Sequence, residues 1–206
     1  FQPDRGKVLS AAELEELDSF SRYMDVDGDH IANRSLPGVH PKGAFFTRGS
    51  GHDKHGRYTE DSDAYLEVVD RIAAKIQSAA DHVPAPDVHS RDGGARAGIV
   101  SIGGCHRAVM EARDELLRDG LEVDYLRVRG FPFDETVVRF LEEHETVFVV
   151  EQNRDGQLRT MLSSETGCPK AKLVSVRDYG GQPLSKGHVL DGVRSTLVNA
   201  VTEATS

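Results

Sequence analysis

Two polar stretches carry the side chains best suited to chemistry. Thr47-Arg48-Gly49-Ser50-Gly51-His52-Asp53-Lys54-His55-Gly56 sets two imidazoles, a carboxylate and a guanidinium among glycines, with little apolar material to bury them. Imidazole and carboxylate are ligands for a divalent metal, and with Arg48 the same groups could hold a carboxylate substrate or bond across a subunit interface. A mononuclear catalytic metal needs a third protein ligand, and no neighbouring residue announces itself as one. Arg48, His52, Asp53 and His55 are therefore read as substrate-entrance or domain-interface candidates, and no metal is assigned to them.

The second stretch, Glu151-Gln152-Asn153-Arg154-Asp155-Gly156-Gln157, follows an apolar run and opens a helical pattern. Asn153 is placed to cap that helix, while Glu151 could face an adjoining polar surface, bridge domains or act as a catalytic acid if burial raised its pKa. Both join the entrance or interface candidates, and Arg127, Arg129 and Arg154 could gather near the same sheet edge. Gly103-Gly104-Cys105-His106 permits a tight turn with free N-H groups, but it has neither dinucleotide-fingerprint spacing nor a phosphate-loop lysine and hydroxyl. Asp25, Asp27 and Asp29 resemble a calcium loop, yet His30 stands where that loop turns on glycine and the terminal glutamate is missing. An aspartate-rich turn paired with Arg22 or Arg34 is the ordinary expectation.

Composition narrows the classes. A net charge of -9 opposes capture by phosphate backbones, so no nucleic-acid partner is expected. The apolar runs are strand-sized, far short of the roughly 20 residues of a membrane span, and a cytoplasmic setting is expected. Cys105 and Cys168 are the sole cysteines, too few for a four-thiolate cluster or zinc site, and both read as structural. The chain opens on Phe1 and not on methionine, consistent with a piece of a longer polypeptide.

The elements that must position these residues fall into two parts. In residues 1–86 a serine-capped helix start at Ser10 precedes an arm of Pro- and Gly-rich turns. From near Ser62 a long helix follows, with Tyr65, Leu66, Val69, Ile72, Ala73 and Ile76 at helical spacing, and this part is expected to pack on a neighbouring domain or subunit. Pro84 and Pro86 mark a boundary. In residues 87–206 strands are expected at Gly98 to Ile102, Val123 to Val128, Thr146 to Glu151 and Leu173 to Val176. Helices are expected at His106 to Arg118, Asp134 to Leu141, Gly156 to Ser163 and Gly187 to Ala200. That alternation predicts an α/β fold, a three-layer α/β/α sandwich with a mainly parallel sheet, preceded by an extended arm and a long helix. In such sheets, ligands meet the carboxyl ends of the strands.

Several separated matches carry a family resemblance: Arg22-Tyr23, the Asp25 to His30 turn, Arg34 with Leu36-Pro37-Gly38, and Gly49-Ser50-Gly51-His52-Asp53. Pro84 with Pro86, and Glu151-Gln152-Asn153 with Gly156-Gln157-Leu158, continue it in the same order. The chain resembles the C-terminal part of the alpha subunit of 2-oxoacid:ferredoxin oxidoreductases, especially the 2-oxoglutarate type, with 87–206 similar to a transketolase C-terminal domain. That resemblance implies oxidative decarboxylation of 2-oxoglutarate to succinyl-coenzyme A and CO2 with thiamine diphosphate, Mg2+ and a [4Fe-4S] centre, reducing ferredoxin. It also implies partners, namely the remainder of the alpha subunit and a beta subunit. The diphosphate-binding motif and cluster cysteines do not occur here, so those groups would be held elsewhere and the isolated chain would be inactive. A pyruvate or general 2-oxoacid enzyme, transketolase-like chemistry without ferredoxin, and a noncatalytic assembly module are the alternatives.

Overall fold

A computed structural model describes residues 2–46, 49–91 and 93–204, with side chains up to residue 197. The chain forms two compact units, Phe1–Ala79 and Ala80–Ser206.

The second unit is built on five strands, β1 (Asp87–His89), β2 (Ala97–Ile102), β3 (Val123–Val128), β4 (Thr146–Glu151) and β5 (Leu173–Arg177), in the order β1-β3-β2-β4-β5. All neighbouring pairs are parallel except β1 with β3. Side chains alternate between the two faces of a strand. Ile99, Tyr125, Phe148 and Val150 therefore share one core with Val109, Ala112 and Leu116, from a helix at His106–Arg118, and with Val189 and Val193, from Lys186–Ala204. Val100, Leu126, Val147 and Val149 point the other way, onto Phe140 and Leu141 of a helix at Glu135–Glu143 and Leu158 and Leu162 of one at Gln157–Thr166. Both faces are covered, as parallel strands with continuous apolar runs require. The result is the expected α/β/α sandwich with a mainly parallel sheet.

The edge strand β1 was not foreseen. Three residues following Pro86 carry too little periodicity to announce a strand, and it pairs antiparallel because Asp87, Val88 and His89 meet Arg127, Leu126 and Tyr125. Pro84 falls inside the second unit, where Val83 and Pro84 pack against Gly130.

The first unit holds a short helix, α1 (Ala11–Glu16), and a long one, α2 (Ser62–Ser78), joined by irregular chain. Ser10 closes the foreseen capping box with Glu13. Asp61 caps α2 by accepting from the Ala64 amide at 2.8 Å. The face that α2 buries centres on Val68, while its apolar positions Tyr65, Leu66, Val69, Ile72 and Ile76 stay 53%, 53%, 40%, 38% and 49% exposed.

The remaining helices of the second unit are numbered in chain order: α3 (His106–Arg118), α4 (Glu135–Glu143), α5 (Gln157–Thr166) and α6 (Lys186–Ala204). Packing is tight where α4 crosses β2. A Cβ on Gly98 would sit 2.7 Å from Phe140 Cε1 and 3.1 Å from His144 Cγ. His144 is fixed there by Phe140 O at 2.6 Å and by the buried Asp124 carboxylate at 3.2 Å. Gly98→Ala is expected to cost about 1–3 kcal/mol by overpacking, read as a lower denaturation midpoint in urea at unchanged slope.

Candidate functional site

The sheet reverses its build direction at β2, because β3 lies on one side of it and β4 on the other. In an open parallel sheet the crevice outside the carboxyl ends at such a reversal is where ligands meet the fold. Here that place brings together the two turns singled out in the sequence. After β2, Gly103–Cys105 forms one turn of 3-10 helix, entered by Gly103 at φ 64. Opposite stands the segment after β4, where Gln152 approaches Gly104 and donates to Gln182 O at 3.1 Å.

Glu151 ends β4 with 1% exposure, and its carboxylate turns inward, not toward an adjoining polar surface. It accepts from the Leu158 amide at 2.8 Å, the Arg159 amide at 3.3 Å and Asn153 Nδ2 at 2.6 Å. Asn153 Oδ1 in turn accepts from the Gln157 amide at 3.1 Å, so the foreseen cap is present. Two side chains thus satisfy three of the free N-H groups that open α5, and the carboxylate sits at the positive end of the helix. Gly156 adopts φ 67 there, and a side chain at that position would approach Glu151 Oε1.

Cys105 is buried beside this network, and its thiol is pushed up by burial and then by the Glu151 and Asp178 charges. A thiol so placed is a poor nucleophile. His106 does not face it, because its Nδ1 lies 3.1 Å from the Tyr125 hydroxyl, which also bonds Ser101 Oγ at 2.8 Å. His89 stacks on the same tyrosine at 5.6 Å and 8°. Burial, followed by the Arg127 charge, lowers the His106 pKa. Sequence periodicity could not find this cluster, which strand register assembles from β1, β2, β3 and α3. Arg127, Arg129 and Arg154, which could have gathered at one sheet edge, do not. Arg127 and Arg129 share Asp87 at 3.5 and 3.1 Å, whereas Arg154, on the opposite side of β2, bonds Asp155 at 2.7 Å.

In the first unit the glycine-rich stretch is a turn organised by Asp53. Its Oδ1 accepts from the His55 and Arg57 amides, both at 2.9 Å, and the Arg57 bond chiefly, then the His55 bond, lowers its pKa against an opposing burial effect. His52 Nδ1 meets Asp53 O at 2.9 Å while its ring lies against Tyr23 at 4.2 Å, and His55 Nδ1 bonds Ser21 Oγ at 2.9 Å. The three candidates face different partners and form no convergent ligand set. Arg48 lies outside the described residues. Among the described residues the group with convergent ligand atoms is Asp25, Asp27 and Asp29. Its partner is not Arg22 or Arg34 but Lys7, whose ammonium lies 2.7 Å from Asp27 and 2.6 Å from Asp29. His30 adopts φ 68 although it is not glycine, its amide donating to Asp25 Oδ2 at 3.0 Å.

These turns and the sheet reversal can be set beside known proteins. No family model matches the chain. The alpha subunit of 2-oxoacid:ferredoxin oxidoreductase 2 from Aeropyrum pernix is 28% identical over 198 residues, covering 94% of this chain and 29% of that protein. The alpha subunit of the 2-oxoacid:ferredoxin oxidoreductase from Saccharolobus solfataricus is 24% identical over 153 residues, 72% of this chain and 24% of that one. This chain is similar to 2-oxoacid:ferredoxin oxidoreductase alpha subunits. It spans less than a third of their length. A 2-oxoglutarate:ferredoxin oxidoreductase from Magnetococcus marinus, solved with 2-oxoglutarate, coenzyme A and succinyl-CoA bound, superposes with a TM-score of 0.79 at 23% identity, covering 89% of this chain and 32% of that one. That likeness establishes the fold. No described helix is long and apolar enough to cross a membrane.

Two substitutions test the roles seen here. Glu151→Gln turns an amide N-H2 toward backbone donors and is expected to cost about 1–3 kcal/mol of stability, measured by urea unfolding. For Asp53 the folded pKa is depressed, so its contribution is present above the ordinary carboxylate value of about 4 and is lost as pH falls through the lower folded value. Unfolding midpoints of Asp53→Ala and the parent chain should differ at neutral pH and converge in acid. A constant gap would show that the carboxylate charge does not matter.

Proposed function

We propose that this chain corresponds to the C-terminal part of the alpha subunit of a thiamine diphosphate-dependent 2-oxoglutarate:ferredoxin oxidoreductase. The whole enzyme would convert 2-oxoglutarate and coenzyme A to succinyl-coenzyme A and CO2, with reduction of ferredoxin. The observation that carries this reading is similarity over 94% and 72% of the chain to less than a third of two alpha subunits. A 2-oxoglutarate enzyme among the structural neighbours supports that substrate over pyruvate.

The chain's own residues do not fit the cofactors of such an enzyme. Two buried cysteines cannot furnish the four thiolates of a [4Fe-4S] centre. The one convergent carboxylate group among the described residues already holds the Lys7 ammonium, which leaves no seat for the Mg2+ of a diphosphate. Thiamine diphosphate, Mg2+ and the cluster therefore belong to the remainder of the alpha subunit and the beta subunit, and the work of this chain is assembly and support of the active site.

The first unit packs on a neighbouring domain or subunit, and the second forms the transketolase C-terminal-like domain. The uncovered apolar stripe of α2 supports that docking, since five large side chains at helical spacing gain by burial against a partner. His52, Asp53 and His55 line the substrate entrance. Glu151 and Asn153 hold the β4 to α5 segment in position.

Copurification of the complete native assembly, followed by coenzyme A-dependent cluster reduction, tests the substrate. Faster reduction with 2-oxoglutarate than with pyruvate is expected, and the reverse order would move the assignment to a pyruvate enzyme. Val69→Asp should release this chain from its beta subunit and the rest of alpha at unchanged helicity in circular dichroism. Retention of the complex would sink the docking role of α2.

A further inference from the structure

We propose that a basic cavity in the first unit is an anion-binding site, taking a small polyanion of at least two negative charges, phosphoryl or carboxylate, directly and without a metal ion. The cavity encloses about 480 Å3 between α2 and the irregular chain. Lys7, Arg22, Arg34, His52, Arg71 and Lys75 all contribute to its wall, and no aspartate or glutamate does. The chain as a whole carries 34 acidic against 25 basic residues, so a wall of one sign runs against its composition.

These charges are not equally spent. Lys7 is neutralised by Asp27 and Asp29. Arg34 donates to Arg5 O and Arg71 to His30 O, the latter at 3.0 Å, and a carbonyl orients a guanidinium without cancelling its charge. Arg22 lies over the rings of Tyr23 and Phe45, at 5.4 and 5.7 Å. Among the described residues no carboxylate pairs with Arg22, Arg34, Arg71 or Lys75, and Arg71 Nε is buried with no hydrogen-bond partner. Burial lowers the Arg22 pKa, and the Arg34 and Arg71 charges lower it further against the opposing effect of Tyr23. The guanidiniums line the same cavity with like charge.

Local structure explains how they converge. Arg71 and Lys75 stand four residues apart on α2 and so share a face. Arg22 and Arg34 flank the turn that Asp25 and Lys7 tie down, which fixes both on the other wall. Val68 and Ile72 supply an apolar side that lowers the local dielectric and strengthens a charge pair formed there. Guanidinium forks bind phosphate and carboxylate oxygens bidentately, so a polyanion offsets that like charge and satisfies free donors in one step. A wall without carboxylates has nothing to hold a bridging divalent ion, which separates this site from a metal-diphosphate site. The proposal rests on the first unit alone and does not depend on the reading of function above.

Isothermal titration of the full 206-residue chain at low ionic strength, with sodium pyrophosphate and separately with 2-oxoglutarate, tests it. Saturable one-site binding of at least one probe is expected, weakened by added salt. Tighter pyrophosphate binding would assign a phosphoryl ligand, and tighter 2-oxoglutarate binding a carboxylate. Arg22→Gln should weaken the preferred probe by about tenfold, in keeping with loss of a charge-assisted bond. Lys75→Gln should weaken it several-fold, and because the Lys75 ammonium makes no bond within the described residues, this variant decides the matter if Arg22→Gln fails to fold. No heat with either probe at millimolar concentration overturns the proposal, as does binding that neither substitution changes.

Discussion

The constraint on which the second unit depends is that β2 is hydrogen-bonded on both edges and buried on both faces. A strand in that position cannot present polar groups to water on either side, so every polar function must move to its ends. Gly98 shows how closely the helices approach, since the ring of Phe140 occupies the space a side chain would take. The same burial pushes the turns after β2 and β4 together at the carboxyl edge, which is why Cys105, Gln152 and Glu151 become neighbours although about fifty residues of chain separate them.

Several carboxylates in this protein are spent on the backbone. Asp25, Asp53, Asp61 and Glu151 each accept from main-chain amides at a turn or a helix start, and Asp124 accepts from the Arg91 and Ala95 amides while meeting His144. A carboxylate in that role is oriented by local geometry and does not need a metal or a substrate to account for it. Among the described residues Arg22, Arg34, Arg71 and Lys75 of the first unit's cavity have no carboxylate partner.

The α2 helix illustrates the difference between amphipathicity and burial. Its apolar residues recur at helical spacing, which an alternating solvent and core face would explain, yet the face buried within this chain centres on Val68 and not on Leu66, Val69 and Ile72. Periodicity reports that a face is apolar; it does not report what covers it. Exposed stripes of this size are characteristic of surfaces that meet other protein.

The sequence by itself determined the order and type of the main elements of the second unit, because long buried strands and well-capped helices write their period into consecutive residues. His106 to Arg118, Val123 to Val128 and Thr146 to Glu151 were legible to the residue. It also determined the caps, since a Ser10 or Asn153 cap acts within four residues. Tertiary structure alone decided the rest. The partner of the Asp25 to Asp29 turn is Lys7 and not an arginine, β1 joins an edge too short to show a period, and the Tyr125 cluster and the basic cavity draw on segments far apart in the chain. The physical reason is one of range. Hydrogen bonds of turns and caps close within a few residues and leave a local pattern, whereas charge pairing and cavity walls depend on distances that only the folded chain sets.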